Sequence, residues 1–413
     1  MGYTITEKLF SRVSGRPNVI SGDIITFTPD WSMANDATAH ISIDLYRSEY
    51  GKECVKLPER SVLIIDHNVP ADSPSTAWVH KKMRNFAIEQ GMLLYDAKGI
   101  CHQIMIENHV AAGQIIVGCD SHSCTYGAIG AFGGGIGCTD IVYLWKTGEL
   151  WWYVPESICI ELIGGVKEPV TARDVILAII GQLGPDAAIG RVMEFTGVGV
   201  HNMSIPERIV LCNMAVEGGA VCGIVEPDEK VISFLPGRPH QFFKSDADAR
   251  YYSSYSINLN GLDPMIACPH SMENIVPVSR VEGLSINQAF IGSCNNGRIE
   301  DLRAAAKVLK GNKVKKAVRL VISPASINIY RQALQEGLID IFLEAGAQVL
   351  NPSCSTCWGG CTGLVGDGER LISTGTRNFK GRSGSHKSEI YLASAITTAV
   401  SAIEGVITCP VKE

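Results

Sequence analysis

Cysteines gather at two places late in the chain. Asn351-Pro-Ser-Cys354-Ser-Thr-Cys357-Trp-Gly-Gly-Cys361 holds a C-x-x-C pair, and Gly292-Ser-Cys294-Asn-Asn-Gly-Arg298 sets a further thiol among small residues. Thiolates two residues apart converge on one point, which suits a soft metal or an iron–sulfur cluster. A zinc ribbon uses two such pairs, and the chain has no second C-x-x-C. A thioredoxin-type redox pair opens a helix near the start of a small domain, and the position of this pair near the C-terminus of a long chain argues against that reading. Cys294 is the best candidate for a third ligand, with glycines for close backbone approach and a helix following to offer N–H groups to an anionic cluster. Cys294, Cys354 and Cys357 on a four-iron cluster would leave one iron without a protein ligand, able to act as a Lewis acid. With Cys361 as fourth ligand, the same cluster would be a closed electron carrier. An iron-sensing protein is the other non-catalytic alternative.

Other polar groups follow short apolar runs. Ser61-Val-Leu-Ile-Ile65 hands over to Asp66-His67, Gly113-Gln-Ile-Ile-Val-Gly118 to Cys119-Asp120-Ser121-His122, and Ala289-Phe-Ile-Gly292 to Ser293-Cys294. Runs of this length and β-branched content read as buried strands. Ligands of open α/β sheets bind beyond the carboxyl ends of such strands, so the handovers point to one shared site at a sheet edge.

Helical patterns lie between the strands: 172–183, 205–214, 299–309 and 327–337, the last read as ending on a C-cap glycine. Strand–helix alternation predicts an α/β protein with largely parallel sheets. The 413 residues exceed one hydrophobic core. Pattern changes near Pro155 and Val276 divide the chain into 1–154, 155–276 and 277–413. The glycine-rich segment from Gly127 to Gly137 lacks the order of a nucleotide loop. Its glycines are expected to let backbone pass close to the cluster and to the loop of Asp120 and His122.

Apolar content of 46%, 19% charged residues and a net charge of −6 describe a globular protein whose partner is a small molecule rather than nucleic acid. No apolar stretch is long enough to span a bilayer, and the N-terminus lacks the pattern of a signal peptide. A cytoplasmic protein is expected, and its 14 cysteines are read as thiols, not a disulfide framework.

Seven motifs, in order, carry a family resemblance: Asn35-Asp-Ala-Thr-Ala39, Asp66-His67-Asn68, His102-Gln-Ile, Asp120-Ser-His122, Gly292-Ser-Cys294 with Arg298-Ile-Glu-Asp-Leu-Arg303, Cys354-Ser-Thr-Cys357, and Arg377-Asn-Phe-Lys-Gly-Arg382. Over nearly its whole length the chain resembles the aconitase superfamily. Within it, the likeness is to large subunits of the isopropylmalate isomerase, homoaconitase and 2,3-dimethylmalate dehydratase type. The resemblance implies three α/β domains around a [4Fe–4S] cluster held by Cys294, Cys354 and Cys357. It implies Asp66 with His67, His102 with Asp120, and His122 with Glu217 as polar pairs around the substrate. A carboxylate beside an imidazole raises the imidazole's pKa and makes it a proton donor. Asn35, Ser121, Arg377 and Arg382 are implied as substrate ligands, and guanidinium groups suit a di- or tricarboxylate. The implied reaction is reversible dehydration or isomerisation of a 2-hydroxy dicarboxylic acid, as in leucine biosynthesis.

No segment resembles the family's swivelling fourth domain, which supplies a serine base and a further arginine. That domain is expected as a separate small subunit. The chain also departs from the family pattern. Asn295 stands where the family has threonine, Thr376 where it has asparagine, and Cys361 near a position often held by histidine.

Overall fold

The computed structural model describes residues 2–410. The sheets are those that continuous, β-branched apolar runs build when both faces are covered. The first is five-stranded and wholly parallel. In spatial order it comprises Leu93–Asp96, Ser61–Ile65, Trp31–Asn35, Ile115–Gly118 and Phe132–Gly135. The chain starts at the middle strand, builds outward to one side, then returns to build the other. A crevice forms beyond the carboxyl ends of the strands at such a reversal. Asn35, Asp66-His67 and Cys119-Asp120 all lie there, at the ends of three adjacent strands.

The second sheet is four-stranded and parallel: Cys222–Val225, Val192–Thr196, Ser157–Ile163 and Ser253–Asn258. Packed with it are the helices Ala172–Leu183 and Ile205–Met214, which begin and end where the sequence places them. Each starts with a capping box, Thr171 with Asp174 and Ser204 with Glu207, so the sequence marks its first turn locally.

The third sheet has seven strands. Its parallel part runs Glu389–Leu392, Arg370–Ser373, Gln288–Ile291, Arg319–Ile322, Gln348–Val349. Met265–Ala267 and Ile275–Pro277 are added antiparallel at one edge. A separate ribbon pairs Ile24–Phe27 with Leu150–Tyr153. Cys294 follows the middle strand of the parallel part, Cys354 and Cys357 follow its edge strand, and Thr376-Arg377 follow Arg370–Ser373. The strand-end groups therefore do not share one sheet edge, as their pattern alone suggested. Two sheets turn their carboxyl edges to each other, and the site lies between.

The helix expected over 327–337 ends at Gln335. Gly337 is left-handed (φ 71°) and caps the start of the next helix, Leu338–Ala345. The glycine-rich segment passes close to the Asp120–His122 loop as expected. A Cβ on Gly133 would lie 1.9 Å from the Ser123 carbonyl oxygen, and one on Gly135 3.1 Å from that of Asp120. Gly127 packs on Gly223 instead of on the cysteines. No helix among the described residues is long and apolar enough to cross a membrane.

Candidate functional site

The first sheet contributes its site residues as helix caps, so local folding and site geometry coincide. Asn35 caps the helix Asp36–Tyr50 by accepting from the Ala37 N–H (3.2 Å), and its amide donates to Asp120 Oδ2 (3.0 Å). Asp120 caps the 3-10 turn Ser121–Ile129 by accepting from the His122 N–H (2.8 Å). The same oxygen, Oδ1, meets His102 Nε2 at 3.0 Å. His102 lies in the first turn of the helix Cys101–Asn108, whose opening N–H, that of Cys101, donates to Asp66 Oδ2 (2.6 Å). Asp66 Oδ1 in turn lies 2.7 Å from His67 Nδ1.

A residue that the motif reading passed over holds this corner together. The Asp36 carboxylate accepts the successive backbone N–H groups of Asp66, His67 and Asn68 at 3.0, 2.9 and 3.0 Å, with His80 Nε2 at 3.3 Å. Burial raises the Asp36 carboxyl, but His80, His67 and the N–H groups outweigh it, so its pKa falls well below the usual carboxylate range.

All three acid–histidine pairs are in contact. Burial alone would lower the His67 imidazole. Asp66 and the neighbouring Cys354 overcome that and raise its pKa well above 6.5. Burial pushes Asp66 the other way, upward, while its bonds to His67 and Cys101 favour the carboxylate. Desolvation pushes the half-buried Asp120 upward, yet His102 and His122 hold it well below 3.8. His122 Nε2 lies 3.1 Å from Glu217 Oε1, and despite burial its pKa is raised by Asp120 and Glu217. Glu217 reaches the site from the turn after Ile205–Met214. Its Oε1 also accepts from Arg377 Nε (2.8 Å), and Arg377 Nη2 donates to Ser121 Oγ (2.8 Å).

Cys294, Cys354 and Cys357 line one cavity together with His67, His102, Asp120, Ser121, His122, Arg377 and Arg382. Asp66, Asn35 and Glu217 stand just behind that wall, bonded to residues that form it. A wider, mostly apolar cavity of about 550 Å³ adjoins it and shares His67, Asp120, Ser121 and Trp358. All three thiols are buried. Burial drives Cys294 well above 9.0, with the other two adding to it, and drives Cys354 to about 11 against the pull of His67. For Cys357, burial is outweighed by Arg382, Thr376 and His122, and its pKa is lowered. Backbone strain marks the same loops. Ser293 (φ 74°) and Ser355 (φ 51°), each adjacent to one of these cysteines, are left-handed without being glycine. Gly359 (φ 74°) lets the cysteine loop pass the Arg382 backbone, where a Cβ would meet the Arg382 carbonyl oxygen at 1.7 Å.

The surroundings fit an anionic cluster. Arg173 is fully buried, and its hydrogen bonds go to uncharged groups: Asn295 Oδ1 (2.7 Å), Met214 Sδ (3.4 Å) and the Gly375 carbonyl. Burial lowers its pKa to about 10, and the nearby Cys357 and Cys294 are among the groups that oppose the fall. Because a guanidinium only donates, it sets the polarity of a chain of amides. Asn295 must accept from Arg173, so its Nδ2 donates to Asn213 Oδ1 (3.0 Å), and Asn213 Nδ2 is left to donate to Cys294 Sγ (3.2 Å). Asn295, one of the departures from the family pattern, is thus built into the thiol's surroundings. Thr376, the second, places Oγ1 3.8 Å from Cys357 Sγ. The third, Cys361, is outside the cavity lining; its thiol donates to the His67 carbonyl (3.1 Å). Trp358 stands edge-on to His67 with ring centroids 4.9 Å apart, and Arg382 lies over the Trp358 ring.

Asp36→Ala leaves three N–H groups, two of them buried, without an acceptor and is expected to cost about 3 kcal/mol or more in urea denaturation. A depressed carboxyl stabilises the fold above its unfolded pKa of about 3.9 and ceases to as pH falls through the folded value. The gap between wild type and variant should therefore narrow in acid; a gap independent of pH would contradict this role.

Known proteins provide an independent comparison. The sequence model of the aconitase family (aconitate hydratase) matches residues 7–283 and 279–405. The chain is 47% identical to the probable 3-isopropylmalate dehydratase large subunit of Methanothermobacter thermautotrophicus, over 99% of each chain. It is 46% identical to the 3-isopropylmalate dehydratase large subunit of Aquifex aeolicus, over 99% of this chain and 97% of that one. The probable methanogen homoaconitase large subunit of M. thermautotrophicus is 44% identical over 99% and 98%. Among solved structures, aconitase X of Thermococcus kodakaraensis shares the fold with a TM-score of 0.56, covering 96% of this chain and 95% of that one at 12% identity. By the family match and by full-length identity to these relatives, the chain belongs to the aconitase family.

Proposed function

We propose that the chain is the cluster-bearing large subunit of a two-subunit hydro-lyase that reversibly dehydrates or isomerises a 2-hydroxy dicarboxylic acid of the isopropylmalate class. Membership of the aconitase family implies an iron–sulfur cluster. The finer assignment, a [4Fe–4S] cluster on Cys294, Cys354 and Cys357, rests on one observation above the others. Three buried thiols, two guanidinium groups and the three histidines border a single cavity, each histidine paired with an acid in or just behind its wall. The thiol of Cys361, bonded to the His67 carbonyl and absent from the cavity lining, supports three protein ligands rather than four. The names of the 3-isopropylmalate dehydratase and homoaconitase relatives favour a small-subunit partner and this substrate class. Three units, 1–154, 155–276 and 277–413, remain part of the proposal. Sheet membership supports the first boundary, and the strands at 265–267 and 275–277 favour a third unit that begins earlier.

Bound at these thiols, the cluster would supply a Lewis-acidic iron that polarises the substrate hydroxyl. His67 holds a proton at neutral pH. Asp66 engages Nδ1, so Nε2–H is the donor for the departing oxygen. Arg377, oriented by Glu217 and Ser121, and Arg382 present guanidinium donors to substrate carboxylates. His102 and His122 hold Asp120 ionised beside Asn35, fixing the polar wall across which the substrate lies. The base for the carbon-bound proton is assigned to the small subunit.

The direct test is an anaerobic assay of the cluster-loaded chain, alone and with its small subunit, on isopropylmalate, homocitrate and dimethylmalate. Turnover of isopropylmalate only with the small subunit present is expected. Full turnover by the chain alone, or preference for homocitrate, would overturn the partner or substrate assignment. Asp66→Asn removes the group that raises His67, so the alkaline limb of the kcat profile should move to lower pH. The accompanying loss in kcat should be about 100-fold, within the range for one acid–base group. An unmoved alkaline limb would exclude His67 as the donor.

A further inference from the structure

Two thiols that play no part in the arrangement above meet on the wall of the adjoining cavity. Cys119 leaves the carboxyl end of Ile115–Gly118 and directly precedes Asp120. Cys138 opens the helix Cys138–Thr147, three residues after the strand Phe132–Gly135. The two strands are parallel neighbours with Gly118 opposite Gly135, so sheet register brings their exits together. The sulfurs lie 3.7 Å apart, in van der Waals contact, and Cys138 Sγ is also 3.7 Å from the Thr38 carbonyl oxygen. Cys119 is buried and Cys138 half-buried, and both face the cavity shared with His67, Asp120 and Ser121. A reagent entering that cavity reaches Cys138 first.

We infer that Cys119 and Cys138 are a thiol–disulfide pair, a modification site at which a small disulfide in the cavity switches the candidate active site off. The regulatory half of this inference rests on the proposed function; the chemistry of the pair does not. In the first step the Cys138 thiol, losing its proton to solvent, attacks one sulfur of a low-molecular-weight disulfide and expels one thiolate. In the second, Cys119 loses its proton, attacks the Cys138 sulfur of the mixed disulfide and expels the other. The two cysteines give up two electrons and two protons, and the small disulfide becomes two thiols. Bond formation draws the sulfurs from 3.7 Å to about 2.05 Å. That movement acts on the residue before Asp120, whose carboxylate joins Asn35, His102 and the His122 N–H. It also acts on the segment at Gly135, which passes against the Asp120 backbone.

The test treats the cluster-loaded two-subunit enzyme anaerobically with hydroxyethyl disulfide, alkylates free thiols after denaturation, and maps the peptides. Cys119 and Cys138 should be recovered as one cross-linked pair that dithiothreitol reopens. Activity should fall and return with the cross-link while iron content stays constant. Recovery of both residues as alkylated thiols, or of Cys138 as an unresolved mixed disulfide, would overturn the pair. A Cys138→Ser variant, measured against its own untreated rate, should resist inactivation. Inactivation equal to wild type would place the effect elsewhere and overturn the switch. Because the cross-link is read by mass, its result stands whether or not the enzyme acts on isopropylmalate.

Discussion

Three thiols are buried beside a fully buried guanidinium whose hydrogen-bond partners carry no charge, and this electrostatic constraint governs the rest of the site. An isolated buried cation is costly, and so is a buried thiolate; each becomes tolerable beside the other or beside a bound metal cluster. Arg173, Arg382 and His122 supply positive charge around Cys294 and Cys357, while His67 does so at Cys354. The polar chain from Arg173 through Asn295 and Asn213 delivers an N–H to Cys294 because its first member can only donate. The Val210 carbonyl, which accepts from Asn295 Nδ2 (3.1 Å), holds the same polarity.

That constraint is met by bringing two sheets edge to edge. One edge holds two acids and three histidines, the other thiols and two arginines, and neither is a site alone; Glu217 and Arg173 join them from elements packed with the second sheet. The acid side is rigid because its members serve the backbone too. Asn35 and Asp120 cap the elements that follow them, Asp66 receives the first N–H of the helix bearing His102, and Asp36 gathers three N–H groups at once. Side chains with such double duties have little rotamer freedom, which is the pre-organisation that acid–base chemistry in a small cavity requires.

Much of this was legible from local signals. Strands buried on both faces read as unbroken apolar runs, and helices opened by capping boxes at Thr171 and Ser204 could be bounded to the residue. The helix after Ser326 was overextended because its periodicity carries past Gln335 to a glycine that belongs to the next element. The cysteines and acid–histidine pairs were visible as motifs. What local reading missed depends on contacts made far along the chain. Arg173 meets Asn295 across 122 positions, and Asn213 meets Asn295 across 82. Asp36 sat inside a quoted motif, but its role appears only when the loop at residues 66–68 folds over it. The pairing of two opposed sheet edges was likewise beyond a reading that had strand ends but no sheet order.

The proposed cluster has three thiolate ligands and not four. Electron paramagnetic resonance of the reconstituted protein after mild oxidation tests it most directly. Loss of a single iron, giving a three-iron signal that reverses on adding ferrous iron and reductant, is the result this account predicts. A four-iron cluster that survives the same oxidation intact, and becomes labile only when Cys361 is replaced by alanine, would contradict it.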